Sequence, residues 1–191
     1  KSVITHRYDI ENAIEAYTLL DSPDALGIVL NYSNKNHNLL VNSKVELANQ
    51  ESKIIKPNTP CVGFIGAGNY ASRTLIPAFK EAGAVLDTLV TSGGISGVHH
   101  GNKNQFNAAS TETEDLWSND KINTVSIVTR HDAHAQQVID ALNSGKNVFV
   151  EKPLALTLDD LDKIDKSYNK ANSSNTVRLM VGFNRRYAPH V

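Results

Sequence analysis

Apolar positions along this chain alternate between two rhythms. Short, nearly continuous apolar runs occur at Cys61–Ile65 (CVGFI) and Ile122–Thr129 (INTVSIVT). Runs of that length without polar alternation predict strands buried on both faces, as in a parallel sheet. Further strands are predicted over 84–91, 146–150 and 177–183, with a weaker one near 107–111. Between them, apolar residues recur at helical spacing, which predicts helices over 69–82, 132–144 and 157–171. Strands alternating with helices predict an α/β fold, a doubly wound and mostly parallel sheet of Rossmann type. Before residue 57 the pattern is sparser. Ile10, Ala13, Ile14 and Tyr17 predict a helix over Asp9–Leu20 with Asp9 as N-cap, broken at Ser22-Pro23. A short strand follows at Ala25–Tyr32, then a polar turn over 33–38. The stretch 41–55 supports no assignment. Three zones result: an N-terminal helix-strand extension and linker (1–56), the doubly wound α/β domain (57–176), and the start of a further domain (177–191).

Composition narrows the function classes. Net charge is −1, so no basic excess exists to hold a nucleic-acid backbone or an anionic membrane. No apolar stretch approaches the roughly 20 residues of a membrane span. The chain has one cysteine, Cys61, which precludes an intramolecular disulfide and reads as a small core residue. No signal peptide is recognisable, and a reducing cytoplasmic setting is expected.

The candidate chemistry begins at Gly66-Ala-Gly68-Asn-Tyr-Ala71, a G-x-G-x-x-A turn directly after a strand and before a helix. Gly66 permits the tight turn, Gly68 lets a pyrophosphate approach the backbone, and Ala71 lets the helix pack closely. Amides at the helix start then favour phosphate, with Asn69 and Tyr70 in reach. A cofactor of the NAD(P) type is predicted. No Asp or Glu ends the second strand to bind the ribose hydroxyls; Asp87 lies mid-strand, and the strand runs into Thr91-Ser92-Gly93-Gly94. Ser92 can donate to either cofactor, and the missing carboxylate removes a repulsion against a 2′-phosphate, a lean to NADP. Lys103 is a possible source of charge there, or a solvated surface lysine. Asp132 is a candidate N-cap. His131 and His134 with Asp132 lack further metal ligands, so no metal is expected. Trp117 and His99-His100 carry no distinct signal.

In order, the Gly66 turn, Thr129-Arg-His-Asp-Ala-His134, Gly145-Lys-Asn-Val-Phe-Val-Glu151-Lys152-Pro153 and Gly182-Phe-Asn-Arg-Arg-Tyr187 resemble the Gfo/Idh/MocA oxidoreductases over about 57–191. The resemblance implies a Rossmann domain paired with a C-terminal substrate domain, here absent, and hydride transfer at a hydroxyl or carbonyl carbon of a sugar, cyclitol or nucleotide sugar. It implies Lys152 beside the nicotinamide and the reacting oxygen, Glu151, Thr129 and His134 along the cofactor, and Arg185 near cofactor or substrate. Homo-oligomers in the family form through the absent domain. Physically, a lysine at a strand's carboxyl end faces the crevice where α/β folds bind ligands, and it can assist proton transfer. The alternative is a surface ion pair of Glu151 with Lys152; for Arg185 it is an interdomain salt bridge. A chain lacking the substrate domain is expected to bind cofactor without turnover. Non-catalytic dinucleotide-binding regulators share this fold, and Lys152 argues against that reading; the Glu-Lys-Pro strand end and the turn spacing disfavour a methyltransferase. Residues 5–17 and 25–30 resemble the C-terminal helix and strand of zinc-type medium-chain alcohol dehydrogenases, without any of their zinc ligands.

Overall fold

The computed structural model describes residues 3–32, 42–47, 59–174 and 176–188. The turn expected over 33–38 lies outside them. The chain divides into two compact units between Val41 and Asn42.

In the first unit, β1 (His6–Asp9) pairs in parallel with β2 (Ile28–Asn31), from His6↔Ile28 to Asp9↔Asn31. Between them lie a 3-10 turn (Ile10–Asn12) and α1 (Ala13–Thr18). The helix is therefore shorter than the periodicity predicts. Asp9 ends a strand and precedes the 3-10 turn, and its side chain makes no capping hydrogen bond.

The second unit is a seven-stranded sheet in the order β3-β6-β5-β4-β7-β8-β9. Its strands are β3 (Lys44–Glu46), β4 (Cys61–Ile65), β5 (Val85–Val90), β6 (Ala108–Ser110), β7 (Thr124–Ile127), β8 (Asn147–Glu151) and β9 (Leu179–Gly182). All neighbours run parallel except β3, which lies antiparallel against β6. The chain moves outward from β4 through β5 to β6, then returns to the other side of β4 at β7. That reversal is the topological switch point at which doubly wound sheets bind ligands. Register aligns the carboxyl ends there: Ile65 pairs Ile127, Ile127 pairs Val150, and Glu151 pairs Gly182.

Alternation along the strands supplies two cores. Ile65, Val125, Ile127, Val148 and Val150 face α5 (His134–Asn143) and α6 (Leu158–Ser174). Val62, Phe64, Leu86 and Leu89 face the other side, with Ile76 and Phe106. Phe64 meets Phe79 and Phe106 edge to face at 5.3 and 5.8 Å, a geometry that adds to simple burial.

The helix after the glycine turn is not regular. A π-helical turn over Ala71–Leu75 precedes α2 (Ile76–Glu81). Pro77 has no N–H to donate to the carbonyl four residues earlier, so the widened turn falls where the regular ladder loses a donor. Two helices have no counterpart in the predicted elements, α3 (Gly94–Asn104) and α4 (Glu114–Trp117). Asp132 does not cap α5: it sits inside a 3-10 turn, His131–Ala133, and α5 has no side-chain cap.

At the sheet's opposite end lies a buried polar cluster. Asp87 Oδ1 accepts from Thr88 Oγ1 at 2.8 Å and Asn119 Nδ2 at 2.9 Å, and Oδ2 accepts from Asn107 Nδ2 at 3.1 Å. Its carboxylate is thus a structural acceptor. The nearby Cys61 thiol is pushed up from 9.0 to about 11, chiefly by burial and then by the charge of Asp87. A group whose folded value is raised stabilises the fold fully below its unfolded value and loses that contribution as pH rises through the folded one. The fold is therefore expected to lose about 2 kcal/mol between pH 9 and 11 from this thiol. Denaturant titrations of wild type and Cys61→Ala across that window check this; parallel curves for the two proteins would refute it.

Candidate active site

Gly66 follows β4 with φ +101°, and its N–H donates to the Val90 carbonyl at 2.8 Å. A Cβ at this position would stand 2.7 Å from the Val128 carbonyl oxygen, so the turn presses directly on the end of β7. Gly68 is different: nothing lies within 4 Å of where its Cβ would be. The open space belongs to a cleft of about 400 Å³. Gly68, Asn69 and Tyr70 form one side of it, where the first-turn amides have no partners within their helix. Thr129, beyond β7, forms a second side, and Glu151 and Lys152 at the end of β8 a third.

Seven residues anticipated from sequence therefore meet here: Gly68, Asn69, Tyr70, Thr129, His134, Glu151 and Lys152. Gly66 shapes the turn beneath them. Ser92 and Arg185 do not line the cleft. Ser92 is exposed in the loop after β5, where Thr91 Oγ1 and Ser96 Oγ both donate to the Gly93 carbonyl, at 2.9 and 2.8 Å. Arg185 is exposed on the 3-10 turn Asn184–Tyr187, beside Arg186, which stacks over Phe183 at 5.6 Å. Lys103 lies in the last turn of α3, roughly 14 Å along the axis from Gly94, too far to serve the ribose loop. Asn184 is a lining residue that sequence reasoning missed; its Nδ2 donates to the Tyr70 hydroxyl at 3.4 Å across the cleft.

The charges are arranged for a ligand. Among the described residues Lys152 has no hydrogen bond or ion pair, so the Glu151–Lys152 surface pair does not form. Glu151 Oε1 is buried and has no hydrogen-bond partner. It lies over Gly182, where a Cβ would come within 2.8 Å of it. A buried acceptor without a donor costs about 1–3 kcal/mol, which a donor from a bound molecule would offset. An open glycine cradle, an orphaned acceptor and an unpaired lysine fit a dinucleotide lying across the switch point.

His134 is fully buried as the first residue of α5. Its Nδ1 lies 2.7 Å from the Pro153 carbonyl oxygen and its Nε2 3.2 Å from that of Thr129. Thr129 Oγ1 donates to Gln137 Oε1 at 2.7 Å. Among the described residues no group of three or more His, Cys, Asp or Glu side chains lies together to hold a metal. No described helix is long and apolar enough to cross a membrane.

Known proteins are similar to this chain in sequence and in fold. Residues 61–183 match the oxidoreductase family described by its NAD-binding Rossmann fold, Gfo/Idh/MocA. The chain is 30% identical over 98 residues to a 1,5-anhydro-D-fructose reductase of Ensifer adhaerens, covering 51% of this chain and 29% of that protein. It is 38% identical over 73 residues to an inositol 2-dehydrogenase of Salmonella typhimurium, covering 38% and 21%. Among solved structures, the 3-ketoreductase KijD10 of Actinomadura kijaniata superposes with a TM-score of 0.63 at 20% identity, covering 70% of this chain and 41% of that one. The chain thus spans less than half the length of these relatives. With the glycine turn, the parallel sheet and the cleft at its switch point in place, this chain belongs to the Gfo/Idh/MocA oxidoreductase family.

Proposed function

We propose that this chain is the NAD(P)-holding part of a dehydrogenase or reductase acting on a sugar, cyclitol or nucleotide sugar. The observation that carries the reading is the unpaired Lys152 beside the orphaned Glu151 oxygen, facing the open Gly68 cradle. A bound nicotinamide supplies hydride acceptance or donation. The chain's residues do the rest. Gly68, Asn69 and Tyr70 seat the pyrophosphate on backbone amides. Thr129 borders the cofactor, and Glu151 accepts from one of its donors. Lys152 holds the substrate oxygen and moves its proton as hydride leaves or reaches the adjoining carbon. Ser92 touches the ribose, and Arg185 serves cofactor or substrate from the segment after β9. Residues 57–176 form the cofactor module, and 177–191 lead into a substrate domain. The names of the reductase and the inositol dehydrogenase support the substrate class. No carboxylate stands at the Thr91–Gly94 loop to repel a 2′-phosphate, which favours NADP.

Calorimetric titration with NADH and NADPH, separately, tests this. Expected are binding of both, tighter for NADPH, and no substrate-dependent change in reduced-nicotinamide absorbance from the chain alone. Tighter NADH binding would reverse the cofactor preference. Absence of binding by either would sink the reading.

A further inference from the structure

Beyond the last paired residues of β7 and β8, Ile127 and Val150, the cleft is lined by Thr129 and Lys152. One side chain bridges the two segments there. The ring of His134 stands with Nδ1 against the Pro153 carbonyl and Nε2 against the Thr129 carbonyl, at 2.7 and 3.2 Å, and is wholly shielded from solvent. The ring borders the cleft but is wholly buried, so its polar contacts are those to the two carbonyls. Pro153 is the residue after Lys152, and the His134 ring is the group that holds its carbonyl. On its other flank the segment is set by the pairing of Glu151 with Gly182.

We propose that His134 is a positioning residue: lodged between the carbonyls of Pro153 and Thr129, its ring donates Nδ1–H to the nearer one, that of Pro153, and so sets the preceding lysine against the nicotinamide end of the cleft. This rests on the reading above. The two contacts differ in length, and a neutral ring carries one N–H, which the shorter contact assigns to Nδ1. The side-chain amide of asparagine places its N–H groups near where Nδ1 stands, and that of glutamine near Nε2. His134→Asn therefore keeps a donor for Pro153, His134→Gln keeps one for Thr129, and His134→Phe keeps the ring and neither donor. The shorter contact is the one to Pro153, so asparagine is the better replacement.

The experiment compares these three variants with wild type and with Val138→Ala, a core truncation on the same helix that loosens packing without touching either carbonyl. Two readouts are taken on the whole chain: NADH affinity with the fluorescence of the bound nicotinamide, and backbone order parameters of the Lys152 and Leu154 amides from nitrogen-15 relaxation. Expected for His134→Phe are an affinity within about threefold of wild type, since the pyrophosphate cradle is untouched, and a loss of roughly half the nicotinamide fluorescence change. Order parameters at Lys152 and Leu154 fall from about 0.85 to below about 0.6, His134→Asn restores both readouts in large part, and His134→Gln restores little. Val138→Ala lowers the melting temperature but leaves both readouts near wild type. The proposal is overturned if Phe and Asn behave alike, if Gln rescues better than Asn, or if Val138→Ala reproduces the Phe effect. The relaxation measurement needs no cofactor, so a wild type that binds no NADH would sink the functional reading while leaving the positioning by His134 itself tested.

Discussion

Gly66→Val is expected to unfold the nucleotide-binding domain at ordinary temperatures or leave it barely folded. Two costs combine. The backbone sits at φ +101°, beyond even the left-handed region that asparagine visits, so any L side chain is strained there. The added Cβ would also stand 2.7 Å from the Val128 carbonyl oxygen and 3.1 Å from its carbon. Both atoms are backbone at the end of a central strand, and they cannot yield without shifting β7. The expected loss is about 4 kcal/mol or more, a large share of a typical domain's stability. Thermal melting followed by circular dichroism measures it, and each kilocalorie shifts the midpoint by roughly 3 °C in a chain of this size. A variant within about 1 kcal/mol of wild type would mean the turn does not bear on β7 as described.

Gly68→Leu should do the reverse: leave the fold intact and abolish nucleotide binding. The position has no positive φ, and no atom lies within 4 Å of where its Cβ would stand, so the side chain enters the cleft without strain. Stability is expected to stay within about 0.5 kcal/mol. The leucine then occupies the volume through which a pyrophosphate approaches the Asn69 and Tyr70 amides. An affinity loss of about 100-fold, or roughly 2.7 kcal/mol, is expected for NADH and NADPH alike. Melting and titration on one sample separate this from the Gly66 effect. Unchanged affinity would show that the phosphates lie elsewhere.

How far the chain can be read without its structure depends on what each element leans on. Strands β4, β7 and β8 lie in the middle of the sheet, and their apolar runs say so. Helix α3 leaves no such trace: it carries Gly94, Gly97 and Gly101, poor helix formers. It is held by contact, since a Cβ at 97 or 101 would collide with Thr91 or Leu47. Strand β3 is three residues long and exists through its pairing to β6, which a local pattern cannot reveal. The site divides in the same way. Gly66, Gly68 and Lys152 sit in motifs whose spacing carries the geometry. Asn184 enters the cleft only because Glu151 pairs with Gly182, a long-range register. For His134 the sequence suggests a place along the cofactor, because a histidine beside a strand end gives no sign of its burial.

The antiparallel strand β3 has a consequence for how the protein behaves in solution. It comes from the stretch ahead of the glycine turn and lies along the outer side of β6, while Leu47 just beyond it packs into the phenylalanine core. Without it, the backbone donors and acceptors of Ala108–Ser110 would face water as an open template for another chain. A protein trimmed to start at residue 57 keeps the entire cleft yet loses this cover. Such a protein is expected to be sticky rather than inactive, and its aggregation would say nothing about the nucleotide site.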